Sequence, residues 1–385
     1  MSKKRITSLC LMIALLLTSV LQLTACGYVL PGNTNSVTAD TNDKSDDTEP
    51  DAVAPSSDFL LTQEEVSGDT SFALYAVYRR YASEALLIPG LKQYLVPQGM
   101  DIWDEKNLLI ISGYFSADSV IDSSVLMAID LASGNYVGEY YIKNADGTKN
   151  KSHVGGIAIT EKDLFISSGN KLHRIPLSAL EDAKDHGDVT IIESISVPCN
   201  ASFCNYSGGV LWVGDFFLKE SYPTDEYRHL INRDGEQYYA WCVGYKVDSS
   251  SKNGLAFDLP TNDGFATPDY VLSIQEKIQG FTVLSDKRIV LSQSYGRGNN
   301  SRLYFYENVL DTDAHTTVEL NGRDIPVWFL DGKCEKDIII APPMAEGICE
   351  KDGNLYVLYE SGADKYRNNG GKYPTDHVWV ISAPD

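Results

Sequence analysis

The stretch that decides the fold is Gln98-Gly99-Met100-Asp101-Ile102-Trp103, followed after four polar residues by Leu108-Leu109-Ile110-Ile111-Ser112-Gly113. It contains a polar residue, a glycine, a short strand, a tight polar turn and an aliphatic strand that ends in serine or glycine. The same order begins again at Gly155, Gln279 and Glu346, and a degenerate copy begins at Ser202. Such internal self-similarity is typical of a repeat architecture.

Each copy is followed by further strand signals. After the first copy come Val125–Asp130 and Tyr136–Ile142, separated by a turn that contains Ser133-Gly134. Glycine in that turn adopts positive φ without strain, which suits a β-hairpin. Four strands per repeat, without strong helical periodicity between repeats, predict an all-β protein with the β-propeller architecture. Five repeats predict five blades, and six blades remain the alternative.

The last repeat has room for only three strands, the third of which is Val378-Trp379-Val380-Ile381. We therefore expect an N-terminal strand to close the ring, and Leu91–Val96 is placed to supply it. The propeller then spans residues 91–385. Residues 59–90 form a lead-in segment, in which Thr70–Leu87 favours a helix and a strand about equally. A sixth blade would have to come from residues 60–97.

Two classes of loop are expected on opposite rims of such a propeller. The loops between the first and second strands, and between the third and fourth, share one rim and form the short class, whereas those between the second and third strands, and between blades, are long and polar. Long loops on a rigid scaffold commonly carry binding and catalysis. The residue before each repeat glycine should point toward the axis at the long-loop rim. These positions are Gln98, His153 or Gly155, Ser202, Gln279 and Glu346.

Several side chains are candidates for chemistry. Glu346 and Glu360 are expected on adjacent strands of one blade, where they would form an acid/base pair. His153 is a candidate general base or ligand hydrogen-bonding residue, or a structural residue between blades. Arg297, beside Tyr295 in a glycine-flanked loop, either clamps a carboxylate or phosphate or forms a salt bridge with a neighbouring loop.

The N-terminus carries an export signal. Three basic residues, Lys3-Lys4-Arg5, precede an apolar run from Ile6 to Leu23, which ends in Leu23-Thr24-Ala25-Cys26-Gly27. This order resembles a bacterial lipoprotein signal with its lipobox. The resemblance implies that residues 1–25 are a signal peptide and that Cys26 carries the lipid, including fatty acyl chains such as palmitate. The protein would then be anchored on the extracytoplasmic face of the cell membrane, with residues 26–58 as a disordered acidic linker.

Charge and cysteine content restrict the classes of function. The chain has a net charge of −21, which disfavours binding of nucleic acid through its general field. Beyond residue 26 there are five cysteines without the spacing of a zinc site, and an odd number cannot all pair. We expect buried free thiols, with a local Cys199–Cys204 bridge as the alternative.

The repeats also resemble known propeller families. The set as a whole is similar to secreted and lipid-anchored bacterial propellers of unassigned activity, on the strength of Pro97-Gln98-Gly99, His153-Val-Gly-Gly156, Ser294-Tyr-Gly-Arg297, Ala341–Gly347 and Glu360-Ser-Gly-Ala363. One blade, with Glu346-Gly347-Ile348, looks like gluconolactonase-like and phytase-esterase-like propellers. The lactonase resemblance implies that Glu346 is a calcium ligand on the axis, although calcium prefers more charged oxygens than these positions offer.

Two hypotheses of different classes follow. In the first, the propeller binds a polar small molecule, a glycan or a protein partner on its long-loop rim without any cofactor, with Gln98, Gln279, Tyr295 and Arg297 as contacts. In the second, it is a hydrolase, either a lactonase, an esterase or a glycosidase, that uses Glu346 with His153 or Glu360. The convergence of these three residues in a deep funnel would favour the enzyme, and a closed funnel below an aromatic rim would favour binding.

Overall fold

The computed structural model describes residues 75–117, 120–256 and 264–383. The expected signal peptide, Cys26 and the linker to residue 58 lie outside these ranges. The strands, in chain order, are β1 (Ala82–Leu87), β2 (Leu95–Trp103), β3 (Leu108–Ala117), β4 (Val120–Asp130), β5 (Tyr136–Lys143), β6 (Gly156–Ile159), β7 (Asp163–Ser168), β8 (Lys171–Pro176), β9 (Gly187–Thr190), β10 (Glu193–Ser196), β11 (Phe203–Ser207), β12 (Val210–Gly214), β13 (Leu230–Ile231), β14 (Gln237–Tyr238), β15 (Ala240–Lys246), β16 (Tyr270–Ile274), β17 (Ile278–Val283), β18 (Ile289–Gln293), β19 (Ser301–Tyr306), β20 (Thr316–Leu320), β21 (Arg323–Phe329), β22 (Glu335–Ala341), β23 (Ala345–Lys351), β24 (Asn354–Tyr359) and β25 (His377–Ser382).

The helices of the described residues are short. They are α1 (Tyr78–Tyr81), α2 (Leu177–Glu181) and α3 (Asp364–Arg367), with 3-10 turns at Leu91–Gln93, Asp104–Lys106 and Glu226–Arg228. No helix in these ranges has the length and hydrophobicity that a membrane span requires.

Five sheets form the five blades of a β-propeller, as the repeats predict. From the axis outward they are β2-β3-β4-β5-β9, β6-β7-β8-β10, β11-β12-β15-β16-β21-β20, β17-β18-β19-β22 and β23-β24-β25-β1. Their innermost strands contact one another in a closed ring. The predicted repeat openings at Gln98, Gly155, Ser202, Gln279 and Glu346 all fall at or just before these innermost strands.

The apolar core is divided among the blades. Five clusters of buried side chains fill the five spaces between neighbouring blades. This follows from strand geometry, because alternate side chains leave opposite faces of a sheet and each blade has a neighbour on both faces. The five cysteines in the described ranges are buried and free, which confirms the expectation of free thiols and excludes the Cys199–Cys204 bridge.

The ring is closed by an N-terminal strand, but the predicted position of that strand is wrong. β1 pairs antiparallel with β25, and Leu95-Val96 instead begins the innermost strand of the first blade. Residues Leu91–Gln93 are a 3-10 turn. The sequence hides this arrangement because β1 is an outer strand with mostly exposed side chains, so it lacks a clear alternating pattern. In the described part of Thr70–Leu87, only α1 is an α-helix.

The loops follow the predicted division between the rims only in part. Long loops join the second and third strands in blades 3, 4 and 5, but residues 118–119 alone join them in blade 1, and residues 275–277 and 342–344 alone join blade 3 to blade 4 and blade 4 to blade 5. The third and fourth strands, whose connections are predicted to be short, are joined by long segments in blades 2, 3 and 4. The second and third strands of blade 2 are joined by residues 169–170 alone, whereas α2 and β9 lie in the connection to its fourth strand. β9 then pairs in parallel with β5 of blade 1. In the same way β21, from the outer connection of blade 4, pairs in parallel with β16 of blade 3. Both additions cover an outer strand that would otherwise be an open sheet edge.

Candidate functional site at the long-loop end of the channel

Three innermost strands each contain a β-bulge that directs a polar side chain toward the axis. The antiparallel register shifts between Pro97 and Gly99 in blade 1, between Ile278 and Gly280 in blade 4, and between Ala345 and Ile348 in blade 5. A β-bulge turns the side chain of its extra residue away from the regular alternation. The extra residues include Gln98, Gln279 and Glu346, as expected from their positions before the repeat glycines.

The glycines after these residues allow the strands to meet. A Cβ on Gly99 would stand 2.5 Å from the Cα of Gly156, and one on Gly347 would stand 2.9 Å from the Cα of Gly99. The innermost strands therefore approach too closely for any side chain at these points. In the degenerate copy Phe203 occupies this position, and the room for its ring comes from Gly214, which is its partner on the next strand.

Glu346 and Glu360 form a buried carboxyl pair. Glu346 lies on β23 and Glu360 directly follows β24, and their carboxyl groups are hydrogen-bonded to each other. The Gln279 side-chain amide donates to Oε1 of Glu346 at 3.1 Å, and the Gln98 amide donates to Oε2 of Glu360 at 2.9 Å. Glu346 and Glu360 are only 4% and 9% exposed.

Burial sets the protonation of this pair. Loss of solvation raises the pKa of Glu346 well above its usual range, and the negative charge of Glu360 raises it further. Burial also raises the pKa of Glu360, whereas hydrogen bonds from Glu346, Tyr366 and Gln98 oppose that rise. Glu346 therefore holds the proton and donates it to the Glu360 carboxylate. The two carboxyl groups therefore share a proton, and the pair carries at most one negative charge while that proton is held.

A second layer of side chains covers the carboxyl pair. Tyr366 is hydrogen-bonded to Glu360 and to Tyr114, which lies on β3 and is fully buried. The Tyr114 hydroxyl accepts a hydrogen bond from Nζ of Lys365 at 3.1 Å and contacts Nε2 of His153 at 3.0 Å. The His153 side chain opens onto the mouth of the channel, yet the protein around its ring and the Lys365 ammonium lower its pKa to about 4. His153 is therefore neutral at pH 7.

Most of the candidate residues thus belong to one hydrogen-bonded network. It contains Gln98, His153, Gln279, Glu346 and Glu360, which the sequence singled out. Of the remaining axial candidates, Ser202 has a structural contact, because its hydroxyl accepts a hydrogen bond from the backbone N–H of Phe216 at 3.1 Å. Sequence reasoning missed Tyr114, Lys365 and Tyr366, because they lie outside the repeated positions and reach the network only through folding.

Arg297 and Tyr295 lie on the long-loop rim, outside this network. Arg297 is exposed, donates to the backbone carbonyl of Asn369 and holds its guanidinium 5.2 Å from the ring centre of Tyr366. It therefore joins the long loop of blade 4 to that of blade 5 through a carbonyl and an aromatic ring. Tyr295 is 45% exposed, and its ring centre lies 6.4 Å from that of Phe216. Phe216 also contacts Tyr222, which is 57% exposed, at 5.3 Å.

A pocket of about 510 Å³ opens beside Tyr295 on the same rim. It combines an aromatic wall with charged and amide side chains that offer both donors and acceptors. Its lining residues are Glu276, Lys277, Gln293, Ser294, Tyr295, Gly298, Asn299, Asn300 and Arg302. A mixture of this kind suits a small polar ligand with one flatter face.

The opposite rim has a different character. A cavity of about 560 Å³ lies at the short-loop end of the channel. Its charged lining side chains are Asp101, Asp104, Glu105, Glu161, Lys287 and Glu350. Five of these six are acidic side chains, so this end of the channel is acidic. The long-loop end carries Lys365 and Arg297 together with Lys277, which pairs with Glu276.

The axial residues do not fit a calcium site. Calcium binds six to eight oxygens, usually with several ionised carboxylates. The two carboxyl groups here share a proton, and the amide nitrogens of Gln98 and Gln279 face them as donors. Nowhere in the described ranges do three or more His, Cys, Asp or Glu side chains form a group that would hold a metal ion.

Comparisons with known proteins extend only to the fold. No family model and no curated protein matches the chain. Similar solved structures include the β-propeller domain of Myceliophthora thermophila Cps50 (Swd1), at 8% identity and a TM-score of 0.34, covering 75% of this chain and 97% of that one. A putative gluconolactonase has 12% identity and a TM-score of 0.30, covering 78% and 91%. BamB from Moraxella catarrhalis has 10% identity and a TM-score of 0.28, covering 74% and 82%.

Proposed function

We propose that this protein is an extracytoplasmic binding protein whose propeller holds a small polar ligand or the end of a glycan at the long-loop end of the channel. The observation that carries the proposal is the pocket beside Tyr295, with its amide side chains and exposed tyrosine rings. Aromatic rings with free polar groups around them suit the apolar face and hydroxyl edge of a sugar. A protein partner on the same rim is the alternative occupant.

The carboxyl pair supports binding more than it supports glycoside hydrolysis. Retaining glycosidases hold their two carboxyl groups about 5–5.5 Å apart, and inverting enzymes hold them about 6.5–9.5 Å apart. Glu346 and Glu360 are in hydrogen-bond contact, so no sugar carbon or water fits between them as those mechanisms require. In the proposed function the buried pair forms the rigid bottom of the ligand-binding site.

A screen of the purified protein against sugars, small acids and glycans tests this proposal. Ligands are scored by the rise in melting temperature, which mass action requires of any compound that binds only the folded state. Tyr295→Ala should lower the affinity of a ligand found in this way at least tenfold, because it removes the aromatic wall of the pocket. Tyr81→Ala, at an exposed tyrosine in α1, is the control and should bind as the wild type does. Unchanged binding by Tyr295→Ala would show that the pocket beside Tyr295 is not the ligand-binding site.

One observation favours esterase or lactonase activity as a second candidate. Glu346 and Glu360 share a proton, and Tyr366 and Tyr114 connect them to a neutral His153, so an acid and a base are present in one site. In such a reaction Glu360 would take a proton from water as that water attacks the carbonyl carbon, while Glu346 protonates the carbonyl oxygen. On collapse of the tetrahedral intermediate, Glu360 would return a proton to the leaving oxygen and Glu346 would regain one from the diol.

Hydrolysis of chromogenic esters and of lactones tests the second candidate. Turnover by the wild type that Glu346→Gln and Glu360→Gln each lower at least a hundredfold would support it, since each substitution removes one partner of the acid/base pair. Glu319→Gln, at an exposed carboxylate on β20, is the matched control. Residual activity of the same size in all four proteins would indicate a contaminant and reject the candidate.

The proposed location rests on the N-terminal sequence alone. Cys26 would carry the lipid that anchors the protein, and the acidic linker would hold the propeller away from the membrane surface. Metabolic labelling with an alkyne analogue of palmitate tests this assignment. Label should appear in the wild type and disappear in Cys26→Ser, and equal labelling of the two would reject lipidation at Cys26.

A further inference from the structure

We infer that the ligand bound at the long-loop end of the channel is an anion, and that a sugar carrying a carboxylate, such as a uronic acid, is its best match. This inference rests on the proposed binding function and specifies the class of ligand. The groups that decide the ligand class are those that remain free to bind once the internal hydrogen bonds of the site are made.

The carboxyl pair has little left to offer a ligand. Glu360 accepts hydrogen bonds from Glu346, Gln98 and Tyr366, and Glu346 accepts one from Gln279. Both carboxyl groups are almost completely buried. A ligand at the mouth therefore meets the side chains above them, which are mostly hydrogen-bond donors.

Lys365 is the first of these donors. Its ammonium lies 5.4 Å from the ring centre of Tyr114 and 5.3 Å from that of Tyr366, and it donates one hydrogen bond, to the Tyr114 hydroxyl. An ammonium has three N–H donors, so two remain. The positive charge of Lys365 also lowers the pKa of Glu360, so this ammonium lies near the carboxyl pair.

Arg297 is the second donor, and it lies against the same ring. Its guanidinium carbon is 5.2 Å from the ring centre of Tyr366, and among the described residues only its Nη1 has a hydrogen-bond partner, the carbonyl of Asn369. Tyr366 is thus in contact with two cations. The neighbouring Asp364 does not offset them, because it pairs with Arg367 at 3.1 Å.

The charges at this mouth do not balance. The carboxyl pair shares a proton and so offsets at most one cation, which leaves the other without a counter-charge among the described ion pairs. Two like charges on one aromatic ring repel each other, and a bound anion relieves that repulsion while it accepts the spare N–H groups. Such a site is notable in a chain with 53 acidic and 32 basic residues.

The aromatic rings beside this site favour a sugar over a simple inorganic anion. Tyr222 is one of the ionisable groups near Tyr114, and it contacts Phe216, which also contacts Tyr295. Exposed rings therefore extend from the cationic centre toward the pocket of blade 4. A sugar ring would stack on these tyrosines while its carboxylate meets Lys365 and Arg297.

Calorimetric titration of the purified protein with glucuronate, glucose and inorganic phosphate, each at the same ionic strength, tests this inference. Glucuronate should bind at least tenfold more tightly than glucose, and higher salt should weaken it. Lys365→Met retains the aliphatic stem and should abolish this preference, and so should Arg297→Gln. Lys162→Met, at an exposed lysine in the short loop between β6 and β7, is the control and should retain it.

Equal affinity for glucuronate and glucose would overturn the inference while leaving the proposed binding function in place. Tighter binding of phosphate than of glucuronate would overturn the assignment of a carboxylated sugar. A preference that survives in both Lys365→Met and Arg297→Gln would also overturn it. No binding of any sugar or small acid in the wider screen would reject the proposed function itself. Thermal melts of each variant show whether it is folded, and the two substitutions lie on different loops, so a single folding failure does not decide the result.

Discussion

Glu346 and Glu360 come from adjacent strands of one blade, and their carboxyl groups share one proton on the axis of the propeller. Each is held by a glutamine from a different blade, Gln279 for Glu346 and Gln98 for Glu360. This pair therefore ties the first and last repeats of the chain to the fourth. Its burial and shared proton have consequences for stability that are open to measurement.

The stability of the protein should fall as pH rises, and Glu346→Gln should reduce that fall. The pKa values of Glu346 and Glu360 are raised in the folded state, so the folded state holds their protons more tightly than the unfolded chain does. This contribution is complete below the usual glutamate pKa of about 4.3 and is lost as pH rises through the raised folded values. A glutamine at residue 346 can still donate a hydrogen bond to Glu360 and accept one from Gln279, and it cannot ionise.

Denaturant midpoints at about pH 5 and about pH 9 measure this effect. Glu319→Gln is the matched control, because it removes an exposed glutamate and should follow the wild type. Parallel pH profiles for the wild type and Glu346→Gln would show that Glu346 does not hold the proton.

Gly99→Ala should destabilise the propeller by about 3 kcal/mol or more, because the added Cβ would overlap the backbone of Gly156 in the next blade. Neither strand has a flexible side chain that moves to make room. Chemical denaturation measures the loss. Gly298→Ala is the control, since its Cβ would meet only the Lys372 side chain, at 3.5 Å, and it should cost less than about 1 kcal/mol. Equal stability of the two variants would contradict the tight approach of the strands.

Arg228→Met should cost about 3–5 kcal/mol, because it removes the cation paired with the buried Asp215 side chain and leaves it only the backbone N–H groups of Asn200 and Trp241. Arg228 is 3% exposed and Asp215 is fully buried, and they are joined at 2.9 Å. The pair also fastens the long loop that carries Tyr222. Asp215→Asn combined with Arg228→Met should recover part of the loss, and a double-mutant cycle measures this coupling. Additive effects of the two substitutions would show that the ion pair contributes nothing.

Leu86→Ala should cost about 3 kcal/mol, since it removes a buried side chain from the strand that closes the ring. Val120→Ala, at an exposed position on β4, should be close to neutral and is the control. Thermal or chemical denaturation of both variants provides the comparison. A neutral Leu86→Ala would contradict the pairing of β1 with β25 and favour a ring closed in another way.

The candidate site was partly accessible from the sequence because repeats put equivalent residues in equivalent places. Gln98, Gln279 and Glu346 precede the repeat glycines, and each bulge at this point directs a side chain to the axis. Glu360 and His153 flank strands of known register, so their proximity was also open to prediction. Lys365 and Tyr366 follow no repeat, and only the path of a long loop carries them back over the axis.

By itself, the sequence determined the all-β class, the five blades and the positions of the innermost strands, since these depend on local alternation and on glycines that recur at close approaches. Only the tertiary structure decided which outer strand closes the ring, because β1 is too exposed to show its partner in its own pattern. The tertiary structure also decided that Glu346 keeps its proton, because the desolvation that raises its pKa comes from blades far apart in the chain. Charge and burial at the axis are properties of the assembled ring, and no single repeat contains them.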